Sequence, residues 1–206
     1  QTCALPILNV WFGGCESADA ICDVLFGDKV PSGKLTATMP KSVGQIPLFY
    51  NHLNTGRPLE DGKWFMKFRS NYLDIDNEPL YPFGYGLSYT TFRYGKPSLS
   101  STILSENGKI LISVDVTNTG NYDADEIVQL YIRDLVGSVS RPVKELKGFE
   151  RICLKKGETK TVTFTLTPDD LKFYNQELEY KYEPGEFEVM VGPNSKNVQT
   201  LKFELK

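Results

Sequence analysis

The side chains that could do chemistry in this chain are rich in carboxylates and poor in histidine. Its 206 residues include 26 Asp and Glu but a single histidine, His52. With so many carboxylates an acidic pair can always be proposed, so pairing alone identifies no site. One histidine argues against a histidine-based metal cluster, and a Ser-His-Asp triad would require His52 as its base. We therefore expect no metal site and no cofactor.

The four cysteines follow no recognised site pattern. Cys3, Cys15, Cys22 and Cys153 include no C-x-x-C pair and no zinc-ligand spacing. Cys15 and Cys22 could share a helix face, but about 10 Å of helical rise would separate them, too far for a disulfide. We expect thiols packed in a core and not a redox group.

Charge and hydropathy limit the classes of partner. The net charge is −3 and the isoelectric point is near 5.3, so there is no electrostatic case for nucleic acid or an anionic membrane. No apolar run approaches the roughly 18 to 20 residues that span a bilayer. The first nine residues lack a basic n-region, so we expect no signal peptide in this chain.

The first part of the chain predicts one helix and then a long irregular segment. Ser17 suits an N-cap, residues 18–26 carry helical apolar spacing, and Gly27 suits the C-terminal stop. Residues 28–85 are interrupted repeatedly by proline and glycine. Because a connection of this length rarely lies free inside a compact domain, we expect the segment to cover a surface outside this chain.

From about Gly108 the pattern changes to strict alternation. Apolar residues recur at every second position in five stretches, separated by turn sequences: 110–116, 128–132, 162–166, 187–191 and 201–205. Further strands around 143–153 and 171–180 bring the total to about seven. The sequence therefore predicts a mainly β, antiparallel, immunoglobulin-like or fibronectin type III-like sandwich over residues 93–206. Residues 1–92 would form the preceding unit.

The segment 78–92, EPLYPFGYGLSYTTF, resembles the hallmark segment of family 3 glycoside hydrolases, the β-glucosidase and β-xylosidase group. Other stretches are similar to the family in the same order: AICDVLFGD (20–28), PSGKL (31–35), PKSVGQIP (40–47), YNH (50–52) and NTGRP (54–58). VTNTG (116–120) and ELKGF (145–149) resemble its fibronectin type III-like domain. The resemblance implies that residues 1–92 are the end of an α/β sandwich domain plus a connecting segment.

Two stretches depart from the family pattern. After WFG (11–13) the family carries an acidic, glycine-rich turn, whereas this chain reads GCESA (14–18). Residues 1–7, QTCALPI, do not resemble the expected strand and are what a common sequencing adapter encodes in frame. We expect residues 1–7 to be non-native and the native match to begin near Leu8.

The resemblance implies a retaining, exo-acting β-glycosidase that removes terminal β-linked sugars from oligosaccharides or glycosides. The family's nucleophilic Asp lies in an N-terminal barrel and its acid/base Glu lies earlier in the α/β sandwich, and neither motif has a counterpart here. No catalytic residue is therefore carried over. We expect this part to brace the catalytic domains, to be inactive alone, and to belong to a periplasmic or secreted parent. The alternative is a stand-alone module that binds carbohydrate or protein.

Four residues of the connecting segment are candidates for positions next to a substrate: His52, Asn54, Arg57 and Trp64. Sugar sites combine an aromatic face with a few polar groups, and loops often carry function. Each also has a structural interpretation. His52 could bond a loop carbonyl, Arg57 could pair with Glu60 or Asp61, and Trp64 could dock on a neighbouring domain.

The aromatic residues of the hallmark segment also allow two interpretations. They could form a carbohydrate platform or pack the sandwich onto a catalytic domain; the residues are Tyr81, Phe83, Tyr85, Tyr89 and Phe92. We favour packing, with Gly84 and Gly86 permitting close backbone approach. This interpretation predicts exposed apolar surface on the isolated chain.

Overall fold

A computed structural model describes residues 7–59, 63 and 65–206. One α-helix, α1 (Ser17–Phe26), precedes the β structure, and short 3-10 helices span Val43–Gln45 and Pro168–Leu171. The strands are β1 (Phe92–Tyr94), β2 (Ser98–Leu99), β3 (Ile103–Leu104), β4 (Ile110–Asn118), β5 (Ala124–Asp134), β6 (Glu145–Leu154), β7 (Thr159–Leu166), β8 (Phe173–Tyr174), β9 (Tyr180–Lys181), β10 (Gly185–Gly192) and β11 (Gln199–Leu205).

The strands form a sandwich of two sheets. In the first sheet β4 pairs antiparallel with β7, β1 and β2. The second sheet has the order β3-β11-β10-β5-β6, with a parallel β3–β11 pairing, and β8 and β9 form a separate hairpin. The predicted mainly β, fibronectin type III-like sandwich is confirmed.

The core lies between the two sheets and follows the alternation in the sequence. Ile110, Ile112, Val114 and Val116 of β4 are at most 2% exposed, because every second side chain of a strand points to the same face. Val128 of β5 belongs to the same buried cluster. Each such side chain contributes about 1.5–3 kcal/mol of hydrophobic stabilisation.

The opposite face of the first sheet is polar. Hydroxyl groups pair across β4 and β7, with 2.9 Å between Ser113 Oγ and Thr163 Oγ1 and 2.8 Å between Thr117 Oγ1 and Thr159 Oγ1. These pairs satisfy polar groups at the sheet surface, as expected for a face in contact with water.

The outer face of β5 is buried, unlike that of β4. Gln129 is 3% exposed and Tyr131 is fully buried, although both alternate with the core residues of the strand. Tyr50 and Phe83 of the preceding segment cover this face. The expectation that the segment lies on a surface outside this chain is therefore wrong for this part, because the sandwich itself offers the surface.

Helix α1 begins one residue earlier than predicted and stops at the predicted glycine. Ser17 is its first residue and Glu16 occupies the N-cap without a side-chain hydrogen bond, so the prediction of Ser17 as N-cap is wrong. Gly27 ends the helix with φ 86°, and its N–H donates to Val24 O. None of the ten helical residues is buried. In the described part of the chain, no helix has the length and apolar character that a membrane crossing requires.

The expectation of core thiols is wrong for the three cysteines that the structure describes. Cys15, Cys22 and Cys153 are all exposed and free. Cys153 lies opposite Asp125 in the β5–β6 pairing, and a hydrogen bond with the Asp125 carboxylate raises the pKa of its thiol. A raised pKa lowers the thiolate fraction and hence the reactivity of the sulfur. Cys3 lies outside the described residues.

Candidate functional site

The segment that carries the candidate substrate-adjacent residues lies on the loop between β5 and β6. Leu53 forms an isolated antiparallel bridge with Pro142, and the Val143 N–H donates to His52 O at 3.0 Å. The Leu146 N–H donates to the hydroxyl of Tyr50 at 3.3 Å. The sandwich thus fixes the path of the backbone through residues 50–54.

The three candidates that the structure describes have exposed side chains. His52 Nδ1 lies 3.0 Å from the carbonyl oxygen of Leu53, which matches the structural interpretation of this residue. Asn54 Oδ1 accepts a hydrogen bond from the Gly56 N–H at 3.2 Å. Arg57 is held through its carbonyl, which accepts from the Ser70 N–H at 2.9 Å. Trp64, and the suggested Arg57 partners Glu60 and Asp61, lie outside the described residues.

An open groove of about 470 Å³ separates Asn54 and Gly56 from the β5–β6 loop. Its other walls come from residues 133–141 and 143. Of the three candidate residues that the structure describes, the groove includes only Asn54. Sequence reasoning missed this feature, because Asn54 and the β5–β6 loop are far apart in the chain.

A largely buried ion pair belongs to the wall of the groove. Asp134 and Arg141 approach to 3.6 Å between Oδ2 and Nε, with side chains 6% and 14% exposed. Arg141 also donates to Glu145 at 2.9 Å, and its guanidinium lies 4.1 Å from the ring centre of Phe173. Burial raises the pKa of the Asp134 carboxyl, and the positive charge of Arg141 opposes this shift. Arg141 thereby ties the ends of the β5–β6 loop to β8.

The aromatic seam, defined here as Tyr50, Phe83 and Tyr131, joins the first part of the chain to β5. Tyr50 stacks on Phe83 with centroids 4.2 Å apart and meets Tyr131 edge-on at 5.9 Å. Gln129 donates to Gly84 O at 3.1 Å, and a Cβ at Gly84 would collide with the Gln129 side chain. The predicted close approach at this glycine is confirmed.

Gly86 also makes a close approach, since a Cβ there would collide with the carbonyl oxygen of Gly33. The other hallmark aromatics contact this same chain as well. Tyr81 stacks on Tyr85 at 5.1 Å, Tyr89 donates to Val24 O at 2.6 Å, and Phe92 packs against the core cluster. These rings therefore pack within this chain, and packing of the segment onto a catalytic domain stays a prediction.

A polar latch, defined as Lys34, Glu126 and Tyr94, makes the second connection. Lys34 Nζ lies 3.2 and 3.1 Å from the two carboxylate oxygens of Glu126, and the Tyr94 hydroxyl donates to Glu126 Oε1 at 2.8 Å. The Glu126 side chain is only 4% exposed. Burial, followed by the nearby carboxylate, raises the pKa of Tyr94, so its hydroxyl stays a donor at alkaline pH.

Exposed apolar side chains concentrate in the first part of the chain. Of the 25 large hydrophobic residues exposed within the described part, 17 lie between Ile7 and Tyr89. They include Trp11 and Phe12 before α1 and Leu25 and Phe26 at its end. In the same described ranges, no group of three or more His, Cys, Asp or Glu could hold a metal ion.

The sandwich and the preceding segment each match a family model. Residues 126–195 match the fibronectin type III-like domain, and residues 4–89 match the glycosyl hydrolase family 3 C-terminal domain. The chain therefore carries a glycosyl hydrolase family 3 C-terminal domain and a fibronectin type III-like domain. The resemblance seen in the sequence motifs is confirmed.

Individual proteins similar to this chain extend the comparison. The chain is 53% identical to a periplasmic beta-glucosidase of Salmonella typhimurium and 46% identical to a beta-xylosidase of Formosa agariphila, with 97% of the chain aligned in each case. A crystal structure of beta-glucosidase from Listeria innocua in complex with glucose is similar at TM-score 0.89 and 44% identity over 96% of the chain. The chain spans about a quarter of the length of these proteins, between 26% and 27%.

Proposed function

We propose that this chain is the C-terminal portion of a retaining, exo-acting β-glycosidase of the β-glucosidase type. The parent enzyme would hydrolyse terminal β-linked sugars of oligosaccharides or glycosides. The observation that best supports this proposal is that the chain, with both family domains, aligns with about a quarter of the length of a β-glucosidase and of a β-xylosidase. Residues 1–92 would end the α/β sandwich and connect it to the domain at 93–206; the family match from residue 4 does not support a non-native stretch as long as residues 1–7.

The chemistry would come from outside this chain. A retaining mechanism needs a nucleophilic carboxylate and an acid/base carboxyl about 5 to 5.5 Å apart. Neither family motif for these groups has a counterpart in residues 1–206, so we assign no catalytic residue here. His52, Asn54, Arg57 and Trp64 are proposed to lie next to the substrate, carried by the segment that the β5–β6 loop holds.

The role of this portion is to brace the catalytic domains. The seam and the latch hold Lys34, Tyr50 and residues 83–84 against the sandwich, which gives these parts of the segment a fixed surface. The exposed apolar residues of the first part, including an α1 with no buried residue, would dock on the rest of the enzyme. A self-contained binding module would bury such a helix, so these features favour the enzyme portion over the stand-alone alternative.

A periplasmic or secreted parent is part of the proposal. Its support is the similarity to the periplasmic beta-glucosidase of Salmonella typhimurium. Fractionation of a source cell, followed by detection with an antibody against the sandwich, would check it.

The test is hydrolysis of p-nitrophenyl β-D-glucoside and β-D-xyloside by two proteins. One is the purified chain; the other is the Listeria innocua β-glucosidase with its matching C-terminal region replaced by residues 8–206. We expect no turnover by the chain and clear turnover by the chimera. Turnover by the chain alone that one Asp or Glu substitution abolishes would refute the proposal. A folded but inactive chimera would argue against the bracing role.

A further inference from the structure

We propose that Arg141 is a positioning residue that fixes the β5–β6 loop, residues 135–144, and through that loop the backbone that carries His52 and Asn54. The proposal rests on the proposed function in one respect, namely that residues 50–54 lie next to the substrate. The anchoring itself follows from the contacts of Arg141 and of the two residues after it.

The guanidinium of Arg141 meets three elements at once. Its Nη2 donates to the carboxylate of Glu145, the first residue of β6, at 2.9 Å. Its Nε lies 3.6 Å from Oδ2 of Asp134, the last residue of β5, and its Cζ lies 4.1 Å from the ring centre of Phe173 in β8. A planar group with donors along its edges and a free face can make all of these contacts together, whereas an ammonium group cannot.

The two residues that follow Arg141 hold the candidate substrate segment. Pro142 forms the isolated bridge with Leu53, and the Val143 N–H donates to His52 O at 3.0 Å. Because a single peptide bond joins Arg141 to Pro142, a displacement of Arg141 moves the partners of Leu53 and His52 with it.

An ion pair without a hydrogen bond holds the loop by charge. Oδ2 of Asp134 and Nε of Arg141 are both buried and without a hydrogen-bond partner in the described part of the chain. Burial raises the pKa of the Asp134 carboxyl, Arg141 opposes this shift, and the charges of Glu183 and Glu145 add to it. Without Arg141, the Asp134 carboxylate would stay buried beside two others without its counter-charge, which favours opening of the loop to water.

Amide hydrogen exchange of the ¹⁵N-labelled chain tests the anchoring without any substrate. The Val143 and Leu146 amides donate to the segment, and in Arg141→Met their protection should fall about tenfold or more, as for the loss of a charge-assisted hydrogen bond. Protection in β4 and β10 should stay unchanged, which separates a local role from a general loss of stability. Arg151→Met is the matched control: it removes a β6 arginine that is 64% exposed and should leave both amides protected.

A double variant keeps the test decisive if Arg141→Met does not fold. Arg141→Met/Asp134→Asn removes both charges of the pair, and the carboxamide that replaces the carboxylate can still accept from the Val136 N–H at Oδ1. This variant should fold and show the same loss of protection, because the contacts of Arg141 with Glu145 and Phe173 are gone as well.

In the chimera, displacement of the segment should act on substrate binding. Arg141→Met should raise KM for p-nitrophenyl β-D-glucoside about tenfold and change kcat by less than about twofold, since the reacting carboxylates are proposed to lie outside this chain. Arg141→Lys keeps the charge and should recover only part of this loss, because one ammonium group cannot bind Glu145 and Asp134 while lying over Phe173. Arg151→Met should leave both constants unchanged.

The inference is overturned if Arg141→Met and Arg151→Met protect the two amides equally, or if a folded Arg141→Met/Asp134→Asn keeps full protection. Parallel losses in β4 and β10 would also overturn it, since Arg141 would then stabilise the whole sandwich. An active chimera whose KM does not change in Arg141→Met refutes this inference alone. An inactive wild-type chimera counts against the proposed function alone, because the exchange result does not depend on activity.

Discussion

Removing the ammonium group of the latch should loosen the first part of the chain from the sandwich. In Lys34→Met the buried carboxylate of Glu126 keeps only the hydrogen bond from Tyr94. Breaking a buried ion pair from one side costs about 3–5 kcal/mol. We expect a loss of about 3 kcal/mol, the lower end, because Tyr94 still donates and Lys34 is already 13% exposed.

Urea unfolding followed by two probes measures the effect. Near-UV circular dichroism reports on the stacked rings of the seam, and far-UV circular dichroism reports on the sheets. With a slope of about 2 kcal/mol/M, the near-UV midpoint should fall by about 1.5 M. The far-UV midpoint should fall less, since Lys34 is not part of the core cluster.

Two further variants make the reasoning refutable. Lys41→Met breaks a surface pair with Asp76, whose side chains are 32% and 37% exposed, and should cost at most about 1 kcal/mol. The double variant Lys34→Met/Glu126→Gln removes both charges and should recover most of the loss. Equal losses in Lys34→Met and Lys41→Met, or no recovery in the double variant, would show that burial of this pair does not determine its contribution.

Three other predictions concern single positions. Gly84→Ala and Gly157→Ala both place alanine at φ near +78°, at a cost of about 1–2 kcal/mol. Only at Gly84 does a neighbouring side chain also block the new Cβ, so the melting temperature of Gly84→Ala should fall further than that of Gly157→Ala. Equal falls would contradict the close approach. Because burial raises the pKa of Tyr94 in the folded state, the free energy of unfolding should decrease as pH rises above about 10. Urea titrations at several pH values should show a weaker pH dependence of this free energy in Tyr94→Phe, and an unchanged pH dependence would contradict the prediction. Asn118→Ala removes four hydrogen bonds, two of them fully buried, and should destabilise the sandwich by about 3 kcal/mol in chemical denaturation; a loss under 1 kcal/mol would contradict this.

The sandwich could be predicted because one face of each long strand is buried. The alternation at 110–116 and 187–191 leaves few other ways to place those residues, and the structure gives β4 and β10 there. β6 was predicted only roughly, around 143–153. Its burial does not alternate, and its register with β5 shifts between Leu130 and Tyr131. A bulge of this kind leaves only a weak trace in the sequence, here Gly148.

What lies on the outside of β5 could not be predicted. Gln129 and Tyr131 alternate with core residues in the same way as solvent-facing residues do, and nothing local shows that Tyr50 and Phe83 will cover them. The groove could not be predicted for the same reason, since Asn54 lies opposite residues that follow it by about 80 positions. Local pattern determines strands, whereas these contacts depend on how two distant parts of the chain pack.

The long sequence separation of the latch and the seam has a consequence during synthesis. Glu126, the partner of Lys34, follows it by 92 residues, and Leu146, whose N–H bonds the Tyr50 hydroxyl, follows Tyr50 by 96 residues. At a translation rate of about 5–20 residues per second, Lys34 and Tyr50 stay without these β5 and β6 partners for about 5 to 20 seconds. During that interval the nascent chain presents unprotected apolar surface, so a ribosome making this protein should recruit chaperones before the sandwich has emerged.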